Sequence, residues 1–459
     1  LKIIPIGLVV INVLLIGWLF LYDAAEGLYL RVPGLDDRPE EEVRTGPVKI
    51  EGQLATFDVS PADSTGRWGQ FRNNNRDGIA WAEENLARQW PDSGPSVIWS
   101  LDVGDGYAST AVFDGKVYMI DYDTENRGDL IRCMSLDTGE DIWQYFYPLD
   151  IRRNHGMSRT VPAVNENYVV TIGPKAHVTC LDAKTGEFLW MLNLEAEYGT
   201  SVPHWYAGQC PMIDDDEQVI IAPGGDEILM MAVDCATGQV VWETPNEPGW
   251  DMTHSSIVPM EFNGRDTYVY CGSGGVVGVC AQSGELLWDT DKWRIRIANV
   301  PSPVIVGDDR IFLTGGYNAG SVMLRLVEND GNIDLQEDFR LDPRTFASEQ
   351  QTPILYDEHI YAVRPDGQLA CMDTEGNVVW TSGSGTNFGL GPFLIADGLI
   401  YVMNDYGVLT MAQANSSDYN ELAQAEVMDG HDAWGPMTLV DGRLILRDMT
   451  QMLCLDIKD

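Results

Sequence analysis

Basic residues are scarce in this chain: 29 Lys and Arg stand against 70 Asp and Glu, a formal net charge of −41. Such a surface repels a phosphate backbone, which excludes nucleic acid as a partner. It favours solubility and suits basic partners. The eight cysteines include no CxxC, no CxxCH and no adjacent pair, so dithiol redox and haem-attachment motifs are absent. HExxH, a Gly-rich phosphate loop and an EF-hand loop are missing too. IDYDTEN at 120–126 lacks the spacing and closing Glu of a calcium loop. The closest His–Ser pair, HSS at 254–256, sets neighbours on opposite faces of a strand. No catalytic, cofactor-binding or metal-binding residue is therefore assigned.

One long uncharged run is present, Ile3 to Tyr22. As a helix rising about 1.5 Å per residue it would span about 30 Å, the thickness of a bilayer core. Trp18 and Tyr22 suit an interface, Lys2 precedes the run, and Asp23 and Glu26 follow it. The pattern predicts a transmembrane anchor over 1–22, touching the lipid bilayer through residues 3–22. It predicts a single pass through a bacterial inner (cytoplasmic) membrane, with the bulk of the chain on the periplasmic side. Residues 23–66, with DDRPEEEVR and SPADSTG, read as an extended linker.

The remainder, 67–459, is repetitive. Its second half-unit appears as SLDTGEDIW at 135–143, CLDAKTGEFLW at 180–190, VDCATGQVVW at 233–242, CAQSGELLW at 280–288 and CMDTEGNVVW at 371–380. The first half opens at Ala111, Pro162, Pro211, Pro259, Pro303, Pro353, Pro392 and Pro436, spacings that suit one four-stranded blade each. Runs such as KVYMI, YVVTI and LIYVM alternate as strands do, with Asp-Gly pairs as turns. Trp99, Trp143, Trp190, Trp242, Trp288 and Trp380 are expected to pack between blades, because a blade alone leaves two apolar faces exposed. Cys180, Cys280, Cys371 and Cys454 read as one repeated small core position. Units five and seven lack the Trp half. The last unit lacks a fourth strand, which the isolated strand near 95–102 is expected to supply, closing the ring. The fold class is all-β, an eight-bladed β-propeller with one N-terminal transmembrane helix. Seven blades is the alternative if unit five or seven is an insertion.

The A-x-D-x-x-T-G-x-x-x-W pattern, clearest in CLDAKTGEFLW, resembles the PQQ-like propeller family over 94–459. WGQFRNNNRDG at 68–78 resembles the opening of PQQ-like repeat proteins of planctomycetes and related bacteria, with Asn73 where Gly is usual. One branch, the quinoprotein alcohol dehydrogenases, implies PQQ and a divalent cation at the axial face and often an adjacent-cysteine disulfide, which this chain lacks. Compact members, such as the propeller subunit of the outer-membrane β-barrel assembly machine, imply a non-catalytic scaffold. That subunit is a lipoprotein, whereas no Cys follows the apolar run here. The expected function is a membrane-anchored, periplasm-facing scaffold or accessory subunit whose partners are other membrane or periplasmic proteins. No cofactor is expected. The alternative is a PQQ-dependent dehydrogenase, holding PQQ with calcium, or another cofactor-binding redox protein.

In a propeller, the segments leading from one blade's outer strand to the next blade's inner strand converge on one mouth of the channel. Here they carry His155, His204, His254 and His431, with Tyr107, Trp205, Trp250, Trp293 and Trp434. They also carry Arg152, Arg153, Arg159, Arg294 and Arg296. Trp, Tyr and Arg are the residue types that dominate protein interfaces. These positions are the candidate partner-binding mouth.

Overall fold

The computed structural model describes residues 52–459. Within them the strands form eight sheets, each built on four antiparallel strands. The predicted anchor over 1–22 lies outside the described residues. No helix among the described residues is long and apolar enough to cross a membrane. Blades 1 to 7 span 111–148, 163–193, 212–245, 258–290, 304–341, 354–381 and 393–426. Blade 8 takes three strands from 438–456 and its fourth, Ser96–Asp102, from the other end of the sequence. Units five and seven are complete blades, with outer strands Asn332–Leu341 and Glu421–Glu426, so the seven-bladed alternative does not hold.

The blades share a device at the third and fourth strands. Opposite each tryptophan stands a small residue: Cys133 to Trp143, Cys180 to Trp190, Ala232 to Trp242, Gly278 to Trp288, Cys371 to Trp380 and Cys454 to Trp99. Where the indole is missing, volume moves to the third strand, as Met323 facing Phe339 and Met411 facing Ala423. In all eight blades the register slips immediately after this residue, a β-bulge that sharpens the local twist. Cys280 does not share the cysteine position assigned to it. Gly278 faces Trp288, and Cys280 lies two residues on, at the strand end and partly exposed.

The six tryptophans are 1–8% exposed. Four of them lie on the Thr-Gly or Ser-Gly turn of the following blade: Trp99 on Gly139, Trp143 on Gly186, Trp190 on Gly238 and Trp242 on Gly284, the last after Ser283. These glycines have φ between 70° and 75°, and a Cβ on any of them would stand 2.5–2.8 Å from an indole atom. The turn therefore needs Gly twice over, for its left-handed backbone and for the ring above it.

The N-terminal part of the described chain is not the linker the composition predicts. Gln53–Thr56 adds antiparallel to the outer strand of blade 1, and Ala62 N–H donates to Gly115 O. An outer strand is an unpaired edge, and adding a strand satisfies its backbone groups. Arg67–Trp68 then pairs with the innermost strand of blade 1, and Ile79–Ala80 runs parallel to the innermost strand of blade 7. Residues 69–78 join these two strands, making a strap across the channel.

One buried acid links blades 1 and 2. Asp129 is fully buried, accepts from Tyr147 Oη at 2.6 Å, and sits against Gly173 of blade 2. Burial pushes its carboxyl up to about 7, against the Tyr147 hydrogen bond and with help from Asp121. An unfolded Asp titrates near 4. Between about pH 4 and pH 7 the unfolded chain is ionised while the folded ring still holds the proton. Stability from this group is thus fully present below about pH 4, falls by about 1.4 kcal/mol per pH unit, and levels off above about 7. Asp129→Asn is expected to remove that slope, so its urea midpoint gains on the wild type between pH 5 and pH 8. Parallel pH profiles for the two proteins would refute the assignment.

Candidate binding site at the channel mouth

The strap is where local sequence sets up the site. Arg72, Asn73 and Arg76 have φ of 63°, 72° and 56°, coiling the strap tightly. Asn tolerates this left-handed region better than most side chains, which accounts for Asn73 where the resembling motif has Gly. Asn74 Oδ1 accepts from Gly69 N–H at 2.8 Å, and Gly78 N–H donates to Arg72 O at 2.9 Å. Arg72 staples the strap to blade 6, its Nη1 donating to Thr352 O at 2.6 Å and its Nη2 to Pro353 O at 2.8 Å. Val164 N–H of blade 2 donates to Gly69 O, and Ile213 N–H of blade 3 to Gln70 Oε1. Arg76 is 4% exposed and donates to Pro211 O from Nη1. Phe71, between the two arginines, forms part of a cavity of about 320 Å³.

Six of the predicted mouth residues line that cavity: Tyr107, His155, Arg159, Trp205, His254 and Trp434. The Tyr107 and Trp434 rings stack at 5.4 Å, and Trp434 Nε1 donates to Asp405 at 2.7 Å. The Arg159 guanidinium lies 5.5 Å from the Tyr107 ring centroid. It donates to the backbone carbonyls of Asn154 and His155 at 2.7 and 3.0 Å. Burial lowers its pKa to about 10, so it stays cationic at neutral pH. Trp205 and His254 face each other at 6.4 Å. Burial, and then the Arg159 charge, pull His254 down to about 4, leaving a neutral imidazole whose buried Nε2 has no partner. Gly208 permits this approach, since a Cβ there would stand 2.7 Å from His254 Cδ2.

The other predicted mouth residues sit elsewhere. Trp293 is 2% exposed in the core between blades 4 and 5. Trp250 covers the Gly272–Gly275 turn of blade 4. Arg153 is held by Asp105 at 2.7 Å. Arg152, His204, Arg294, Arg296 and His431 are exposed, His204 edge-on to Trp205 and His431 beside Asp432. In the other direction, sequence reasoning missed Phe71, Gly208, Cys210, Ala298, Val300, Tyr317, Glu349, Gln350, Gln351 and Pro436. For Gln351 a signal existed, since it stands two residues before its proline as Trp434 does. Phe71 offered none, because the repeat does not include the strap.

A quinone-and-calcium site does not fit this cavity. A tricarboxylate quinone would meet one lining arginine, Arg159, with the Glu349 carboxylate also on the wall. Among the described residues no group of three His, Cys, Asp or Glu is placed to hold a metal ion.

The fold and its repeated Trp–Gly contacts define an eight-bladed β-propeller of PQQ-like repeats. Residues 126–382 match the family described as outer membrane protein assembly factor BamB, and the chain belongs to this PQQ-like propeller family. It is similar to the outer membrane protein assembly factor BamB of Yersinia pestis, 23% identical over 328 residues, which is 68% of this chain and 66% of that one. It is equally similar to that of Moranella endobia, 23% identical over 326 residues, 68% and 67% of the two chains. The chain thus spans about two thirds of the length of these relatives. Among solved structures it resembles BamB from Moraxella catarrhalis, with TM-score 0.51, 14% identity and coverage of 79% of this chain and 99% of that one. It also resembles a europium-containing methanol dehydrogenase, with TM-score 0.60, 12% identity and coverage of 85% and 90%. At such identities these two likenesses carry the fold alone.

The relatives correct one expectation. A single-pass inner-membrane location does not stand: both curated relatives are named as outer membrane assembly factors. No membrane-crossing helix occurs among the described residues either.

Proposed function

We propose that this chain is a non-catalytic accessory propeller of outer-membrane protein assembly that holds a protein partner at the mouth of its channel. The cavity carries the reading. It encloses about 320 Å³, its walls carry Tyr107, Trp205 and Trp434, and the strap residue Phe71 lines it as well. Aromatic and arginine side chains in a desolvated recess are the usual anchors of protein interfaces. Family membership supports the same reading, as the relatives are named for assembling outer membrane proteins. Tyr107 and Trp434 are pre-organised by stacking and by the Asp405 hydrogen bond, so little ordering is left to occur on binding.

The test is co-purification of the full-length chain with outer-membrane assembly proteins of its own cell envelope, with and without Trp205→Ala. Trp205 is partly exposed at the cavity wall, so its removal leaves the blades intact. Loss of an aromatic anchor is expected to weaken capture about 10- to 30-fold. Unchanged capture by the Ala variant, or no assembly proteins recovered by the wild type, would refute the proposal.

A further inference from the structure

The cavity has a charge on each of two facing walls. Arg159 lies in the connection between blades 1 and 2, and Glu349 in that between blades 5 and 6. Four blades out of eight separate them, so the two face each other across the channel. Among the described residues neither has a partner of opposite sign. The hydrogen bonds of Arg159 go to the backbone carbonyls of Asn154, His155 and Met157. Glu349 takes part in no ion pair or hydrogen bond among the described residues. An arginine without a carboxylate is telling in a chain with 70 acidic residues against 29 basic ones. Most arginines here that are not spent on the strap do have one, as Arg132 has Asp141 and Arg325 has Asp309 and Asp338.

Between the charges the walls are apolar, with Trp205 on one side and the Tyr107–Trp434 stack on another. His254 is neutral and brings a buried nitrogen without a partner. It therefore adds a hydrogen-bonding group without a second positive charge. The apolar lining also continues outward: Ala298 and Val300 line the cavity, and the adjacent Ile297 is 60% exposed on the same connection. A ligand that fills the cavity and runs on along this rim has more than one residue.

We propose that the cavity takes a short peptide segment of the partner, with an apolar side chain between the aromatic walls, an acidic side chain toward Arg159 and a basic side chain toward Glu349. This rests on the reading of the mouth as a protein-binding site and adds the chemistry of the segment. Each charge then gains the counter-ion it lacks inside a recess, where screening by water is weak and mismatched charges are rejected.

The experiment follows tryptophan fluorescence of the full chain, titrated with N-acetyl-Asp-Phe-Lys-amide and its reversed order. The controls are the uncharged N-acetyl-Asn-Phe-Gln-amide and free phenylalanine. At least one order of the charged peptide is expected to bind about tenfold or more tighter than the uncharged one. Glu349→Gln, with an unchanged melting temperature, is expected to lose most of that preference when the Lys end is present and none when Lys is replaced by Gln. Arg159→Lys, which keeps the charge but not the fork, is expected to retain part of it. Equal binding of charged and uncharged peptides overturns the proposal, as does tighter binding of free phenylalanine than of either peptide, which would mark a small-molecule site. If Trp205→Ala abolishes partner capture while the peptides are not distinguished by charge, the charge assignment falls and the protein-binding reading stands. If Trp205→Ala leaves capture intact, the protein-binding reading falls.

Discussion

Trp190→Ala is expected to destabilise the ring by about 3–5 kcal/mol, the range for removing a large buried aromatic side chain. The indole is 8% exposed, stands opposite Cys180 in its own blade, and lies on Gly238 of the next. Its Nε1 donates to Cys235 O at 2.7 Å, so its loss opens a void and leaves that buried carbonyl with only the weak Cys180 thiol donor at 3.5 Å. Gly238→Ala is expected to be damaging as well, because φ is 70° and the new methyl would stand 2.7 Å from the ring. In the double variant the methyl meets no ring, and what is added to the tryptophan loss is the left-handed backbone penalty of about 1–2 kcal/mol and a milder 3.0 Å approach to the Cβ that remains at position 190. The two effects should therefore be clearly less than additive. Urea unfolding of the four proteins in a double-mutant cycle measures this. Simple additivity would mean that the Trp–Gly contact does not couple blades 2 and 3.

Arg72→Ala is expected to lower stability by about 3 kcal/mol or more, through a mechanism unrelated to blade packing. Its guanidinium donates to four backbone carbonyls, those of Arg76 and Asp77 within the strap and those of Thr352 and Pro353 in blade 6. Hydrogen bonds to a charged group contribute about 1.5–3 kcal/mol each, and the carbonyls left behind are partly or wholly buried. Burial lowers the Arg72 pKa to about 10, so the group remains charged throughout the neutral range. Arg72→Lys should recover less than half of the loss, since a single ammonium cannot reach acceptors on two sides of a planar fork. Urea midpoints report the stability. Limited proteolysis at 69–78 reports whether the strap has come loose, and a strap as protected in the Ala variant as in the wild type would contradict the stapling role.

Much of the ring is legible in the chain because its determinants are local. A Thr-Gly turn with Trp four residues after its Gly, an Asp-Gly pair between alternating runs, and a strand-opening proline each act within about ten residues. Even so, the degenerate units five and seven could be placed only once Met323 facing Phe339 and Met411 facing Ala423 were seen to replace the missing indole volume. The cysteine misplacement at Cys280 has another origin. The bulge is common to every blade, but the residue facing the indole stands nine or ten residues before it, and Cys280 is only eight before Trp288, so the count back from the indole falls on Gly278. The mouth was legible by position and not by direction. Trp293 and Trp205 occupy equivalent connections, yet the first turns into the core between blades and the second into the cavity.

What the sequence determined by itself is the repeating module and the order in which its copies follow one another, because short-range turn chemistry and strand alternation specify these, while the count of eight was settled by the outer strands of blades 5 and 7. The strap, the cavity behind it and the facing charges were decided by the tertiary structure alone. Arg72 and Thr352 meet across 280 residues of chain, and Arg159 faces Glu349 only because eight modules close into a circle. Such contacts are produced by ring closure, and no local periodicity encodes them.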